Sequence, residues 1–255
     1  MTPNSFILFK NAVVITTAFF LMSSTQLKVK YTHGKVELAN LELKGPDSVS
    51  LVEVNASIGN NFLIATGKGS RTELSTPEDH TTWRLGSLSV SKWPSLNECW
   101  IHSGSLLCST KTEEPIKISS TKSTASFHGP GTFIIEATTN GGFKFIPLES
   151  CGSLTTSNGG TKQVKGGRML LVIGDPSIFG DAYDIDLMLM LKSSRLINSF
   201  PTQLGRHKQI GVSVYVQQMK IRGKYDALIG DATSEDNLQL WKFNTEKGKT
   251  NFPSN

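Results

Sequence analysis

The chain has 255 residues, enough to bury one sizeable core, and its 38% hydrophobic and 18% charged residues exclude disorder throughout and a giant multidomain organisation. The formal net charge of +5 comes from Lys and Arg residues that are scattered along the chain, so no basic arm indicates nucleic-acid binding. The 23 glycines, with many Ser and Thr residues, favour strands and turns.

The first 26 residues have the layout of a secretory signal. Lys10 is the only charged side chain ahead of an apolar run at residues 12–22, and Ser and Thr residues follow the run. The truly apolar part is too short to cross a hydrocarbon core of about 30 Å comfortably. We therefore expect cleavage near Ser24 and a periplasmic or secreted protein of a bacterial cell envelope. An uncleaved anchor is the alternative, with residues 12–22 as the only membrane contact.

Residues 27–175 are predicted to form an all-β body. Short apolar runs in this region are separated by Gly, Asn, Asp and Pro, and no helical period of useful length is present. The predicted strands cover residues 35–43, 48–53, 62–66, 71–75, 81–85, 105–109, 116–119, 132–137, 143–148 and 169–173.

Two glycine-containing turns give the clearest local signal in this body. Asn140-Gly141-Gly142 lies between two predicted strands, and Asn and Gly tolerate the positive φ angles that tight hairpins require. Asn158-Gly159-Gly160 repeats the pattern further along the chain. The resulting set of short strands suits a β-solenoid, a β-sandwich or a barrel, and these alternatives stay open.

Residues 176–204 are predicted to contain a linker and one amphipathic helix. Asp184 is placed to accept backbone N–H groups at the helix start, and Pro201 lies just beyond the helix end. The apolar face of this helix is predicted to contain Ile185, Leu187, Met188, Leu191 and Ile197. Residues 205–255 are interpreted as a C-terminal extension with one strand, at residues 210–219, and a mobile tail in its last dozen residues.

The sequence contains none of the standard catalytic motifs. It has no G-x-S-x-G elbow, no H-E-x-x-H helix, no Walker phosphate loop and no strand-to-helix G-x-G-x-x-G. Gly67-Lys68-Gly69-Ser70 comes nearest to a phosphate loop, but it lies between two predicted strands, where no helix N-terminus is available to hold the anion. We therefore predict a β-turn there, and a non-enzyme without a cofactor.

Metal binding is not expected either. The three cysteines have no C-x-x-C spacing, and they allow at most one intramolecular disulfide, whose pairing stays open. They are Cys99, Cys108 and Cys151. The five histidines are isolated from each other in the sequence. The aspartates between Asp175 and Asp186 lack the spacing of an EF-hand loop.

Two residues are predicted to contact a partner. Trp93 stands beside Pro94 and is expected to be exposed, so that its ring offers an apolar surface. The alternative is a place in the core, where large aromatic residues usually lie. His128 begins a Gly-Pro-Gly bend, and bends of this kind frequently carry binding residues.

Several stretches of the β body follow one another in a recognisable order. They are residues 65–74, 83–87, 104–107, 123–125, 131–134, 147–152 and 165–168. In order and spacing, over residues 58–173, they resemble the FecR-type periplasmic domain, with its elements T-x-x-x-S-x-A-x-L, L-x-x-G-x-L and T-x-x-A-x-x-G-T-x-F. The chain departs from that pattern at Pro130, Cys151 and Arg168, where the local turn geometry is expected to differ.

The resemblance implies a β-solenoid-like periplasmic domain that senses or binds without catalysis. In regulatory members of the family, this domain receives a signal from an outer-membrane transporter and passes it through a membrane helix to a cytoplasmic anti-sigma segment. The stretch before residue 12 is too short to fold into such a segment. The resemblance therefore implies a stand-alone exported member.

Three functions follow from these patterns, in decreasing order of preference. The first is a domain that binds a protein partner in the cell envelope, with edge strands as the mode of binding. The second is a structural or glycan-binding envelope module that uses exposed aromatic residues. The third is a hydrolase built from scattered Ser, His and Asp residues. The partner and the oligomeric state stay open.

Overall fold

The computed structural model describes residues 26–45 and 48–221. The predicted signal or anchor, apart from Gln26, and the predicted mobile tail lie outside the described residues. Within the two described ranges, no helix is long and apolar enough to cross a membrane.

The described ranges contain eighteen β-strands. In β12 and β15, every second residue is buried, which is the pattern of a strand that covers a core with one face. In chain order the strands are β1 (Leu27–His33), β2 (Val36–Asn40), β3 (Val49–Leu51), β4 (Ser57–Ile58), β5 (Phe62–Thr66), β6 (Arg71–Ser75), β7 (Thr81–Leu85), β8 (Val90–Ser95), β9 (Glu98–Ser103), β10 (Ser105–Thr110), β11 (Ile116–Ser119), β12 (Thr124–His128), β13 (Gly131–Ala137), β14 (Phe143–Pro147), β15 (Ser153–Thr156), β16 (Gly160–Gln163), β17 (Arg168–Ile173) and β18 (Ile178–Asp184).

The strands form two open nine-stranded sheets. Sheet A has the order β18-β17-β14-β13-β10-β7-β6-β1-β4, and sheet B has the order β16-β15-β12-β11-β9-β8-β5-β2-β3. Strand pairs are antiparallel except β9 and β11, which run parallel. The chain advances along both sheets together, since it changes sheet after every one or two strands. The all-β prediction is confirmed.

The two sheets pack face to face around one hydrophobic core, as in a β-sandwich. Sheet A contributes Phe133 and Phe145, and sheet B contributes Phe127. The centroids of these three rings lie 4.7 to 5.8 Å apart. Because side chains alternate along a strand, this core fixes which residues of each strand face outward.

Three helices cover the outer face of sheet A: α1 (Leu187–Ser193), α2 (Arg195–Asn198) and α3 (His207–Ile221). Every residue of β10 is buried, because the sandwich core lies on one side of this strand and the helices lie on the other. The apolar residues buried between sheet A and the helical layer are Leu107, Ile134, Ile146, Leu148, Met169, Ile185, Leu187, Met190, Leu196, Leu204, Ile210 and Val214.

Polar contacts also hold α3 against the rest of the molecule. Nε of Arg206 donates to the Glu149 carboxylate at 2.9 and 3.0 Å, and Nη2 donates to it at 2.8 Å. Gln217 accepts a hydrogen bond from the backbone N–H of Leu187 at 2.8 Å and donates one to the carbonyl of Ile185 at 2.6 Å. One contact lies directly before α3, at Arg206, and the other lies in its second half, at Gln217. Together they fix the position and the direction of this helix.

The strand predicted at residues 210–219 is wrong, because these residues lie in α3. The β-branched residues Ile210, Val212, Val214 and Val216 favour a strand by propensity. Ile210 and Val214, four residues apart, are buried against sheet A, so the packing partner decides the structure.

The predicted amphipathic helix is present, but its boundaries differ from the expectation. Asp184 ends β18, and the cap is Asp186, whose carboxylate accepts from the N–H of Leu189 at 3.0 Å. The helix is divided into α1 and α2 at Ser194. The predicted β body also ended too early, since β18 extends sheet A as far as Asp184.

Candidate functional site

Trp93 is buried, so its predicted role as an exposed contact is wrong. Only 3% of the residue is accessible, and its ring meets Trp83 edge-on with centroids 5.9 Å apart. The alternation of β8 accounts for this, because Ser91 and Trp93 face the core while Lys92 between them faces outward. The proline at position 94 therefore does not make the Trp93 ring exposed, contrary to the expectation.

His128 is exposed at the end of β12, where the chain bends through Gly129 and Pro130. Gly152 packs closely under this bend, since a Cβ atom there would lie 2.3 Å from the His128 carbonyl oxygen. The structure therefore separates the two predicted contact residues, with one in the core and one on the surface. A binding role for His128 stays a prediction.

The cysteines are free thiols in different surroundings. Cys99 and Cys108 are fully buried, and burial raises the pKa of both thiols well above the ordinary value. Cys151 is partly exposed. Among the described residues, no group of three or more His, Cys, Asp or Glu side chains is arranged to hold a metal ion.

The most distinctive surface is the free edge of sheet B at β3. Among the described residues this strand pairs only with β2, and all its residues are exposed. The N–H of Val52 donates to the carbonyl of Val36 at 2.9 Å. Because the N–H direction alternates along a strand, the backbone N–H and C=O groups of Val49 and Leu51 face away from β2. No residue in ranges 26–45 and 48–221 pairs with them, so they can pair with another strand.

Exposed apolar side chains occur on β3 and in the sequence on either side of it. Leu51 is the most exposed of them, at 67%. The group, which we call the β3 edge patch, consists of Leu41, Leu43, Val49, Leu51 and Val54. The opposite edge of sheet B is β16, whose exposed residues include Thr161, Lys162 and Gln163. A polar edge with a Lys is a common protection against strand pairing, and the β3 edge lacks this protection.

A second apolar surface lies on the solvent side of α3. Its residues stand at helical spacing and are Val212, Tyr215, Val216 and Met219. Residues 222–255 follow this helix directly and lie outside the described part of the chain.

A buried ionic network lies where the helical layer meets β6 and β7. Arg84 Nε donates to Glu73 at 2.7 Å, and Arg84 Nη1 donates to the carbonyl of Leu196 at 3.1 Å. Thr202 Oγ1 donates to Glu73 at 2.6 Å, and the Phe200 ring lies 4.5 Å from the guanidinium carbon. Burial lowers the pKa of Arg84, and Glu73 partly opposes this shift. The network fixes the segment that follows α2.

A polar pocket of about 250 Å³ adjoins this network. Lys30 and Asp79 form a salt bridge of 2.9 Å at its rim. The pKa of Asp79 is lowered, mainly by its hydrogen bond from Lys30. Ser75 lowers it further, although its hydroxyl is not in hydrogen-bond geometry with that carboxylate. No motif in the sequence indicated this pocket, because its residues come from four strands and a distant loop.

Comparison with protein-family models, with curated proteins and with solved structures finds no match for the chain. The resemblance to FecR-type domains therefore rests on the motifs described above.

Proposed function

We propose that the chain is a non-catalytic binding module that receives an extended segment of a protein partner at the β3 edge patch. The observation that carries this proposal is that β3 ends sheet B among the described residues and presents two exposed apolar side chains, Val49 and Leu51. Pairing of the edge with another strand would satisfy these backbone groups and cover the apolar side chains.

The proposed partner segment is extended and has apolar residues at alternate positions. Val49 and Leu51 are two residues apart, so both side chains lie on the same face of β3. A partner strand beside them would place every second side chain on that face. If the predicted signal directs export, the partner is a protein of the cell envelope, as the FecR resemblance also implies.

The experiment compares proteins retained from an envelope extract by the immobilised wild-type chain and by the double variant Val49→Lys/Leu51→Lys. Two lysines on a free edge oppose strand pairing without removing any buried side chain. The matched control is Thr161→Lys on β16, which is also an exposed edge position. Circular dichroism verifies that all three proteins are folded.

We expect one protein to be retained by the wild type and by Thr161→Lys, and lost with the double variant. Equal retention by all three proteins would contradict docking at β3. Loss of self-association in the double variant, measured by sedimentation, would instead assign the edge to a second copy of the chain.

The second candidate function is a structural or glycan-binding envelope module. Trp100, on the outer face of sheet B, stacks on His102 with centroids 5.5 Å apart and lies 5.3 Å from Lys92 Nζ. An aromatic ring on an outer sheet face offers a surface for the apolar face of a sugar. Retention of the wild type, but not of Trp100→Ala, on peptidoglycan or polysaccharide would favour this alternative.

A further inference from the structure

The polar pocket has a floor of three hydroxyl side chains, from Ser75, Thr82 and Ser109. They lie on adjacent strands in direct register, with Ser75 opposite Thr82 and Thr82 opposite Ser109. Residues 202–205, between α2 and α3, form the wall. The volume of about 250 Å³ lies below the range of about 300 to 1,000 Å³ for drug-sized ligands, so it suits a molecule with a single ring.

One of these hydroxyl groups has no partner among the described residues. The Ser75 oxygen is buried and makes no hydrogen bond. The Thr82 side chain beside it is only half-buried, and Ser109 bonds to the hydroxyl of Thr132 at 3.1 Å. Buried polar groups are normally satisfied, so the unused Ser75 hydroxyl on the floor of a pocket is unusual.

The charges around the pocket are also unbalanced. Three cations line it, Lys30, Arg84 and Lys111, together with two carboxylates, Glu73 and Asp79. The difference, 3 − 2, is one positive charge. Both carboxylates are already paired, Asp79 with Lys30 at 2.9 Å and Glu73 with Arg84 at 2.7 Å. Lys111 makes no salt bridge with any described carboxylate, although it helps to lower the pKa of Asp79.

We propose that this pocket binds a small polyhydroxylated monocarboxylate of the size of one sugar acid. Lys111 is the cation for the carboxylate, since the other cations of the pocket are neutralised. Ser75 and Thr82 bond to the oxygen atoms of the ring or its hydroxyl groups. The site is separate from the β3 edge patch, so it adds a small-molecule ligand to a module that is proposed to bind protein.

The test measures binding by calorimetry with the full chain and three probes. D-glucuronate carries both the carboxylate and the hydroxyl groups, D-glucose lacks the charge, and inorganic phosphate lacks the ring. The variants are Lys111→Met, Ser75→Ala and Thr82→Val. Lys68→Met is the control, because Lys68 is exposed in the turn at the other end of β6 from Ser75.

We expect millimolar or tighter binding of D-glucuronate, weakened about tenfold by Lys111→Met, as for a hydrogen bond to a charged group. Ser75→Ala and Thr82→Val weaken binding several-fold, and Ser75→Ala does so without lowering the melting temperature, because its hydroxyl makes no hydrogen bond in the free protein. Lys68→Met has no effect.

Three outcomes would overturn the proposal: no binding of D-glucuronate, equal binding of D-glucose, or a D-glucuronate affinity that the three pocket variants leave unchanged. Binding of phosphate alone, lost with Lys111→Met, would also overturn the ligand class. None of these results bears on strand pairing at β3.

Discussion

Glu73 and Arg84 stand opposite each other on β6 and β7, at 2% and 1% exposure. A buried ion pair contributes little net stability when both partners are present, but removal of one partner leaves an uncompensated buried charge. The pair also determines how the helical layer docks, since Arg84 donates to carbonyl groups of α2 and to the carbonyl of Thr202, which lies after α2. It therefore determines where α2 and the segment that follows it lie on sheet A.

We predict that Arg84→Met lowers the free energy of unfolding by about 3 to 5 kcal/mol, because Glu73 loses its partner in a buried site. Lys117→Met is the matched control, since Lys117 forms an exposed salt bridge of 2.9 Å with Glu98. The control is expected to lose at most about 1 kcal/mol. Urea denaturation measures both values, and a similar small loss in the two variants would contradict this description of the network.

Sequence patterns could not place the side chains of this network or of the pocket. Arg84 is a charged residue in a predicted strand, and charged residues usually face water. Its burial depends on a loop more than one hundred residues away, near Thr202. Trp93 shows the same limit, because the register of β8 decides on which face of the sheet it lies.

At the level of elements, local signals located many strands correctly. The predicted bounds of β5, β6, β7 and β11 agree with the structure. Asn140-Gly141-Gly142 forms the predicted hairpin turn between β13 and β14, with a φ of +88° at Gly141. Two of the strands that were missed have a weak apolar pattern, because β4 has two residues and β16 is polar.

Two glycine turns with similar backbone conformations differ in the space around them. Gly152 and Gly69 both have positive φ, +76° and +71°. A Cβ atom at Gly152 would lie 2.3 Å from the His128 carbonyl oxygen, whereas one at Gly69 would have open space around it. Gly69→Ala is therefore expected to cost about 1 to 2 kcal/mol, from the backbone conformation alone.

Gly152→Ala is expected to cost at least about 1 kcal/mol more than Gly69→Ala, because the bend at His128 must also move. Thermal unfolding of the two variants measures the difference. Equal melting temperatures would show that the two turns do not pack as described.

At the scale of the whole molecule, the sheets and the helical layer form three layers, with sheet A in the middle. The sequence predicted the β class but not this arrangement. The parallel pairing of β9 with β11, and the burial of β10 on both faces, arise from contacts between distant parts of the chain. No local sequence pattern specifies a strand order of this kind. The sequence was therefore equally compatible with a β-sandwich and a β-solenoid.

The arrangement of the two sheets explains why β3 is proposed as the binding edge. A sandwich that advances along one direction has strands with free edges at both ends of each sheet. Polar residues protect β16, whereas the β3 edge patch is apolar. We therefore propose β3 as the edge that receives a partner strand.

Amide hydrogen exchange is the direct test of strand pairing at β3. The full chain is compared alone and with the protein that it retains from an envelope extract. We predict that the amides of Val49 and Leu51 exchange more slowly in the complex, because they then donate to the partner strand. The amides of Thr161 and Gln163 on β16 are expected to be unchanged. Unchanged exchange at Val49 and Leu51, with protection elsewhere, would contradict the account.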